Sequence, residues 1–422
     1  MARASLPAQQ QIGPCPYFCP MLGALLTRFR QFRRQRRQQR RFGLVDQVDQ
    51  AALARQAAPD LSRVLLVRND SIGDYLLFRP WLRLLAAAVR GRGQHLTLAA
   101  NALWAPLARA WDADCFDELV VVEFGRFQTD RAYRAEVLRG LGAAGYGEVV
   151  YPLHVREPAV ENFFRYLAAP VRVGSQGEHS TETWFQLIDQ EGYTHLLPTM
   201  REVRFEYDRN EEFYTNWLAA FGNAGGPAPT PRPPLHIPIS AADAARFHAP
   251  DGRPAIVLFP GASARQKRWP TSHFARLAQG LHQRYGPNYR LVLAGSPADN
   301  EHARRIQQAA GAAVPLENLC GQTNLLELAA LLSQASLLIS NDTVAAHLAV
   351  QLGTPCLVVL MGENYGKFFP YPPALHRAPC RCLFPPNMEA RFAQGNFTPP
   401  AHDPDLARIA PARVLAAAAE LL

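Results

Sequence analysis

The chain has 422 residues, of which 48% are hydrophobic, and a formal net charge of +8. This length exceeds what one hydrophobic core normally organises, so the composition predicts two globular domains and excludes a disordered chain. The seven cysteines do not form a secreted disulfide framework, which favours a reducing cytoplasm. Because no apolar run approaches the roughly 20 residues that span a bilayer and no signal-peptide pattern occurs, we expect a protein that neither crosses a membrane nor is exported.

Much of the positive charge lies near the N-terminus, where residues 28–42 hold eight arginines and no acidic residue. This pattern is typical of a helix lying on an anionic membrane surface, although a solvated basic arm is an alternative. Because the rest of the chain has no nucleic-acid reader motif, we expect no nucleic-acid partner. We assign residues 1–60 to a basic amphipathic arm that binds anionic membrane through Arg28 to Arg41. The apolar residues on one helical stripe are Leu22, Leu25, Leu26, Phe29 and Phe32.

After the arm, short β-branched or leucine-rich runs alternate with helical patterns, which predicts parallel sheets covered on both faces. In residues 61–225 the runs are "RVLLV", "LTLAA", "ELVVV", "EVVYPL" and "VRVG". Residues 226–250 are rich in proline and read as an interdomain linker. The alternation resumes in residues 251–422 with "AIVLFPG", "RLVLAG", "SLLIS" and "CLVVLM". The predicted fold class is therefore α/β, with two domains of similar size.

The loops that follow the strands of such sheets bind ligands, and the first of them is "VRNDSIGDYLLFRPWL". Gly73 allows a tight turn from strand to helix, and Asp74 falls at or near the helix start. An aspartate there either caps free backbone N–H groups or supplies a functional carboxylate, and the stretch alone leaves both roles open.

The second such loop is "FPGASARQKRWP", Phe259 to Pro270. It combines a glycine turn with Ser263 and three cations, Arg265, Lys267 and Arg268. Backbone donors and cations of this kind hold phosphate groups. The alternative is an ordinary solvated basic turn, because the spacing is not that of a Walker loop.

The third such loop is "SNDTVAAHLAVQLGTP", which opens a helix that Asp342 or Thr343 would cap. Thr343 and His347 are four residues apart and share one helix face, and a helix N-terminus with a hydroxyl is suited to anions. His347 alone would more often be a satisfied core residue. No G-x-G-x-x-G motif follows a strand, which disfavours a dinucleotide-dependent dehydrogenase.

Two groups of residues are candidate metal ligands. Asp112 and Asp114 form a "DAD" motif within a connection from helix to strand, and His376, Cys380 and Cys382 could supply part of a zinc site. Because the first motif is poorly placed and the second offers three ligands, we expect neither a metal site nor a cofactor.

Taken together, "VLLVRNDSIGDYLLFRPWLRLL", "IVLFPGASARQKRWPTSHFARLA" and "SNDTVAAHLAVQLGTPCLVVL" resemble glycosyltransferase family 9, the heptosyltransferases of lipopolysaccharide assembly and their relatives. The resemblance covers roughly residues 61–372. It implies a GT-B architecture, in which two Rossmann-like domains face each other across a cleft. The first domain would bind the acceptor and the second the nucleotide-sugar donor, and the transfer would be inverting and independent of metal.

Carried over by motif, the resemblance makes Asp74 the catalytic aspartate and Lys267 a phosphate ligand. The family's glutamate near the donor ribose corresponds to Glu301, with Asp299 as a competing alignment. Val344 stands where the family usually has glycine, and a β-branched residue there restricts the approach of the backbone to a phosphate. The residues assigned to donor binding are Ser263, Lys267, Glu301, Asp342, Thr343 and His347.

The sequence therefore predicts a transferase that moves heptose or a related sugar from a nucleotide-sugar donor, ADP-heptose or related, to lipopolysaccharide or another surface glycan. We expect it in the cytoplasm, peripheral on the inner face of the cytoplasmic membrane. One alternative is a GT-B-fold nucleotide-sugar epimerase, which would release an altered sugar without any acceptor. Another is a non-catalytic nucleotide-sugar-binding protein, which would bind the donor without turnover.

Overall fold

The computed structural model describes residues 42–178, 183–222, 232–249, 251–395 and 402–422. Two six-stranded sheets with parallel strands organise this part of the chain. The N-terminal domain is built on β1 to β6: Arg63–Arg68, His95–Asn101, Glu118–Val122, Glu148–Tyr151, Val171–Ser175 and His195–Leu197. The C-terminal domain is built on β7 to β12: Ala255–Phe259, Arg290–Leu293, Leu316–Asn318, Ala335–Asn341, Cys356–Val359 and Cys380–Leu383.

Both sheets have the same strand order. The first runs β3-β2-β1-β4-β5-β6, and the second runs β12-β11-β10-β7-β8-β9, which is the same arrangement traced from its other edge. In this doubly wound order, successive strands are added toward one edge of the sheet and then toward the other. The point where this order reverses lies between β1 and β4 in one sheet and between β7 and β10 in the other. The carboxyl ends of those strand pairs are where such folds bind ligands. The predicted α/β class with two Rossmann-like domains is confirmed.

Helices cover the faces of both sheets, and within the described residues none of them is long and apolar enough to cross a membrane. In the N-terminal half, α1 to α8 span 42–52, Ile72–Gly91, Ala105–Trp111, Phe124–Phe127, Arg131–Ala144, Pro158–Glu161, Thr183–Glu191 and Glu206–Phe221. In the C-terminal half, α9 to α15 span Ala241–Ala245, Thr271–Tyr285, Asn300–Ala310, Leu325–Ser333, Val344–Leu352, Pro386–Ala393 and Pro411–Ala419.

Burial explains why the strand runs are so apolar. All five residues of β7 and the last five of β1 are buried, because helices pack on both faces of each sheet. One apolar cluster continues from the N-terminal domain through α2 and α8 into α12 and α13 of the C-terminal domain. The two domains therefore share a packed contact beside the cleft.

Part of the predicted N-terminal arm belongs to the fold. Residues 42–52 form α1, in which the buried Asp49 accepts hydrogen bonds from Arg134 Nη2 at 2.7 Å and Asn162 Nδ2 at 2.8 Å. Ala52 and Leu53 join a core cluster of the N-terminal domain. The prediction that residues 42–52 belong to the arm is therefore wrong. The charge pattern does not show that these residues pack against the N-terminal domain. The membrane-binding stretch Arg28 to Arg41 lies outside the described residues.

The described portion of the proline-rich connection is fastened to both domains. Leu235 and Ile237 are buried in the shared apolar cluster. Arg79 of α2 donates to the carbonyl oxygen of His236 at 3.1 Å, and the N–H of Ile237 donates to the carbonyl oxygen of Gln351 at 3.3 Å. These contacts restrain how far the domains can separate along this edge.

Candidate functional site

Asp74 lies in the first turn of α2, directly beyond the carboxyl end of β1. Ser71 is the residue that precedes the helix, and its hydroxyl donates to the Asp74 carboxylate. Asp74 is the third helical residue, so it lies inside the helix rather than at the capping position. Its carboxylate is partly exposed on the cleft side of the turn. This placement leaves Asp74 available for chemistry, while its negative charge also suits the helix N-terminus.

Two other carboxyl groups accompany Asp74, and sequence reasoning missed both. Asp70 follows β1 and accepts a hydrogen bond from Arg68, whose guanidinium is fully buried and lies 3.9 Å from the ring centroid of Phe78. Burial raises the pKa of Asp70 to about 6, against the pull of Arg68 and with a further push from Asp74. Burial, with the charge of Asp74 next, raises the pKa of Glu206 to about 8. At neutral pH, Glu206 is therefore mostly protonated.

These carboxyl groups line a cavity of about 290 Å³ at the switch point of the first sheet. Arg201, Arg204 and Arg209 also line the cavity. Lys367 and Phe368 reach the cavity from the C-terminal domain, and Lys367 Nζ lies 3.2 Å from Glu178 Oε1. The cavity is therefore lined by carboxyl groups and by cations, and both domains contribute to its walls. Such a lining suits a polar ligand that carries hydroxyl groups and negative charge.

Lys267 and Asp342 meet at the switch point of the second sheet. Lys267 Nζ lies 3.0 Å from Asp342 Oδ2 and 3.8 Å from Glu363 Oε2. Asn364 Nδ2 also donates to Asp342 Oδ2, at 3.2 Å. The predicted basic loop therefore contains a short 3₁₀ helix at Arg265–Lys267. Its lysine is largely buried against carboxylates and is not a solvated side chain.

Thr343 is the N-cap residue of α13, and it is one of the two residues that the sequence predicted for this position. Its hydroxyl accepts from the N–H of Ala345 at 3.3 Å and lies 2.9 Å from Ser340 Oγ. Val344 is the first helical residue, and its side chain packs against the shared apolar cluster. In the described part of the chain no residue except glycine has a positive φ, so the helix start does not need glycine at this position.

His347 lies where the two domains touch. It is buried, and its Nδ1 lies 2.6 Å from Tyr371 Oη. A Cβ placed on Gly73 would come within 2.9 Å of His347 Cδ2, so the imidazole packs directly on the turn before Asp74. Burial lowers the pKa of His347, although the charges of Asp342 and Asp74 oppose this shift. The ring is thus a neutral contact between the turn that carries Asp74 and the helix that begins at Val344.

The remaining predicted donor residues differ in placement. Ser263 is exposed in the loop after β7. Glu301 is 65% exposed on α11 and pairs with Arg305 at 3.1 Å. Asp299, the competing alignment, is buried, and a Cβ on Gly261 would meet its carboxylate at 2.4 Å. Asp299 therefore borders the loop after β7, whereas Glu301 faces solvent near it.

Asn341, which the sequence did not single out, joins the two loops of the donor side. Its Nδ2 donates to the carbonyl oxygen of Pro260 at 2.8 Å, and its Oδ1 accepts from the N–H of Trp269 at 3.0 Å. Lys367 was not predicted as a site residue either, although the scarcity of lysine in the sequence could have indicated it. The chain contains only two lysines, Lys267 and Lys367, among 44 basic side chains, and both lie beside the cleft.

The aspartates of the "DAD" motif are engaged by arginines. Asp112 is fully buried and accepts from Arg79 Nε at 2.7 Å and from Tyr75, and Asp114 accepts from Arg83 at 2.7 Å. Among the described residues, no group of three or more histidine, cysteine, aspartate or glutamate side chains is arranged to hold a metal ion.

We expect Glu206 to make the protein less stable as the pH rises from 6 to 8. Its pKa is about 8 in the folded state and near 4.5 in an unfolded chain, so in this window the folded state still binds a proton that the unfolded chain has released. Rising pH therefore favours the unfolded chain until the pH exceeds the folded-state pKa. The slope for one proton is at most about 1.4 kcal/mol per pH unit. Urea unfolding of Glu206→Gln should show a flatter decline than wild type. Glu301→Gln is the exposed control, and equal declines in all three proteins would contradict the prediction.

Residues 161–388, more than half of the chain, match the family model described as "Glycosyltransferase family 9 (heptosyltransferase)". The matched region includes the loops after β7 and β10 and begins after Asp74. The chain belongs to glycosyltransferase family 9.

Relatives and solved structures agree with this membership. Lipopolysaccharide heptosyltransferase 2 of Salmonella typhimurium is 34% identical over 135 residues, which are 31% of this chain and 37% of that protein. The aligned region thus spans little more than a third of this curated relative. A glycosyl transferase family 9 structure from Veillonella parvula has a TM-score of 0.62 at 20% identity, covering 87% of this chain and 98% of that one. The structure of E. coli ADP-heptose lps heptosyltransferase II has a TM-score of 0.59 at 20% identity, covering 85% of this chain and 98% of that one. The predicted GT-B architecture is confirmed.

Proposed function

We propose that this protein is a glycosyltransferase that moves heptose or a related sugar from a nucleotide-sugar donor to a lipopolysaccharide or other surface-glycan acceptor. The observation that carries the proposal is the placement of Asp74 and Lys267 at the switch points of two sheets in a member of family 9. The substrates are inferred from relatives whose names include ADP-heptose and lipopolysaccharide. The acceptor would lie in the cavity beside Asp74 and the donor against the C-terminal loops.

On the acceptor side, Asp74 would act as the general base. As the acceptor oxygen forms a bond to the anomeric carbon, its proton must leave, and a carboxylate within hydrogen-bond reach can take it. Attack from the face opposite the leaving group inverts the anomeric centre. Protonated Glu206 supports this role, because it adds no further negative charge where the hydroxyl must approach Asp74.

On the donor side, the bond from the anomeric carbon to the diphosphate oxygen breaks, and its electron pair stays on the nucleoside diphosphate. Lys267 and the positive end of the α13 dipole, at the N-terminus of that helix, would stabilise the charge that develops there. Lys267 is held by Asp342 and Glu363. We infer that the diphosphate takes over Lys267 from these carboxylates when the donor binds.

Binding of the donor can be tested by thermal shift. A ligand that binds only the folded protein raises its apparent stability by mass action, so a panel of nucleoside diphosphates and nucleotide sugars identifies the donor. We expect a nucleoside diphosphate and its sugar conjugate to raise the melting temperature, with the same base preferred in both. A panel in which no nucleotide changes the melting temperature would refute the donor assignment.

Membrane association is a separate proposal that rests on residues 28–41. Deleting residues 2–41 should release the protein from anionic vesicles and leave transfer to a soluble acceptor analogue intact. Each arginine contributes about 1 kcal/mol near an anionic surface, and the deletion leaves α1 in place. Vesicle sedimentation at physiological salt measures the effect. Full-length protein that stays in the supernatant with anionic vesicles would contradict the proposal.

A further inference from the structure

Helix α2, which carries Asp74 in its first turn, has a proline in its interior at position 80. Proline has no N–H group, so Pro80 cannot donate to the carbonyl oxygen of Leu76, four residues earlier. Leu76 lies two positions after Asp74 and is fully buried. The helix that holds the proposed base is therefore left with a buried carbonyl oxygen that needs a donor from outside the helix.

The donor comes from the other domain. Gln351 of α13 is fully buried, and its Nε2 donates to the carbonyl oxygen of Leu76 at 3.0 Å. Helix α13 begins at Val344, where the proposed donor site lies. One side chain thus joins the helix of the proposed base to the helix whose N-terminus faces the proposed leaving group.

A second contact between the same two helices restricts their relative position. His347 precedes Gln351 by one helical turn, and Gly73 precedes Leu76 by three residues. His347 lies so close to Gly73 that an added Cβ would stand 2.9 Å from its ring. The pair His347 and Gly73 sets how closely the helices approach, and the pair Gln351 and Leu76 holds them there. These two contacts restrain both the distance and the rotation of α2 against α13.

We infer that Gln351 is a positioning residue for the transfer reaction, which sets the place of Asp74 relative to the donor through the Leu76 carbonyl that Pro80 leaves free. The inference rests on the proposed function, since it assumes that Asp74 and the start of α13 serve one reaction. Gln351 itself touches no reacting atom. Its removal should therefore change the turnover number more than the binding of either substrate.

The test is a double-mutant cycle between Gln351→Met and Pro80→Ala. Methionine keeps the length of glutamine without a donor, and alanine at position 80 supplies the missing N–H within the helix. We expect Gln351→Met to lower kcat at least tenfold while the dissociation constant for the nucleoside diphosphate stays within about twofold. In the Pro80→Ala background the same substitution should lower kcat less than about threefold, because the helix then satisfies the Leu76 carbonyl itself. Pro80→Ala alone should stay close to wild type.

Gln279→Met is the matched control. Gln279 of α10 also donates from Nε2 to a backbone carbonyl, that of Ala310 at 3.0 Å, but both residues lie in the C-terminal domain. This variant should keep its kcat. The inference is overturned if Gln351→Met keeps full kcat, if it loses as much in both backgrounds, or if it fails to fold in both. If the double variant folds and Gln351→Met alone does not, a kcat of the double variant close to that of Pro80→Ala would support the inference, and a much lower kcat would overturn it. A wild-type protein without transfer activity would refute the proposed function instead, and the cycle measured by thermal unfolding would still report the contact.

Discussion

Asp74→Asn should lower turnover by about 10² to 10⁴ while the melting temperature and the donor affinity barely change. Asparagine retains the size and the hydrogen-bonding oxygen of aspartate, so Ser71 keeps an acceptor. It cannot take a proton from the acceptor hydroxyl. The free energy of unfolding should fall by no more than about 1 kcal/mol, which is what a carboxylate near a helix N-terminus typically contributes. Steady-state transfer rates and thermal unfolding of the same preparation measure both quantities.

The chain offers a control aspartate that caps another helix. Asp130 precedes α5 in the same domain, and its carboxylate accepts from the N–H groups of Ala132 and Tyr133 at 3.1 Å. Asp130→Asn should leave turnover unchanged, with a similarly small effect on stability. An Asp74→Asn protein that retains near wild-type turnover would show that Asp74 serves only the helix terminus.

Lys267→Ala should weaken nucleoside diphosphate and donor binding by about ten- to a hundredfold. A charge-assisted hydrogen bond to a phosphate is worth roughly 1.5 to 3 kcal/mol, which corresponds to that change in affinity. The substitution also leaves Asp342 without its cation, and the carboxylate would then oppose the approach of the diphosphate. Isothermal calorimetry with the free diphosphate measures the loss directly.

Lys367→Ala is the matched control, because it removes the only other lysine of the chain. Lys367 lies in the cavity beside Asp74 and pairs with Glu178. Its loss should leave diphosphate affinity unchanged and affect the acceptor. If both lysine variants bind the diphosphate as tightly as wild type, the basic loop after β7 has no part in donor binding.

Much of the fold was predictable because buried parallel strands are continuous apolar runs. Each of the nine runs identified in the sequence contains or overlaps a strand. The strands β6, β9 and β12 were missed because they have three or four residues and each includes an exposed polar one, at His195, Glu317 and Arg381. A strand of that length has no period that distinguishes it from a loop, and only the neighbouring strand defines it.

The site was predictable to the level of its loops. Ligands bind at the carboxyl ends of the strands in such sheets, so the loops that carry Asp74, Lys267 and Asp342 could be chosen from sequence, and the family resemblance selected these residues within them. The residues that surround them in the folded structure could not be predicted from the sequence. Glu206 begins a helix 132 positions after Asp74, and the bond from Gln351 to Leu76 joins residues 275 apart. Pro80 gave a local signal, since a proline within a helix always frees a carbonyl, but the identity of its donor depends on tertiary structure.

The most direct measurement is sugar transfer by the purified full-length protein. It would be incubated with ADP-heptose and a lipopolysaccharide core acceptor that lacks the next heptose, and the products would be analysed by mass spectrometry, with Asp74→Asn in parallel. The proposed function predicts an acceptor heavier by one heptose residue, release of ADP in equal amount, and loss of both with Asp74→Asn. Donor that stays intact although it binds would contradict catalysis, and an altered sugar released without acceptor would identify an epimerase instead.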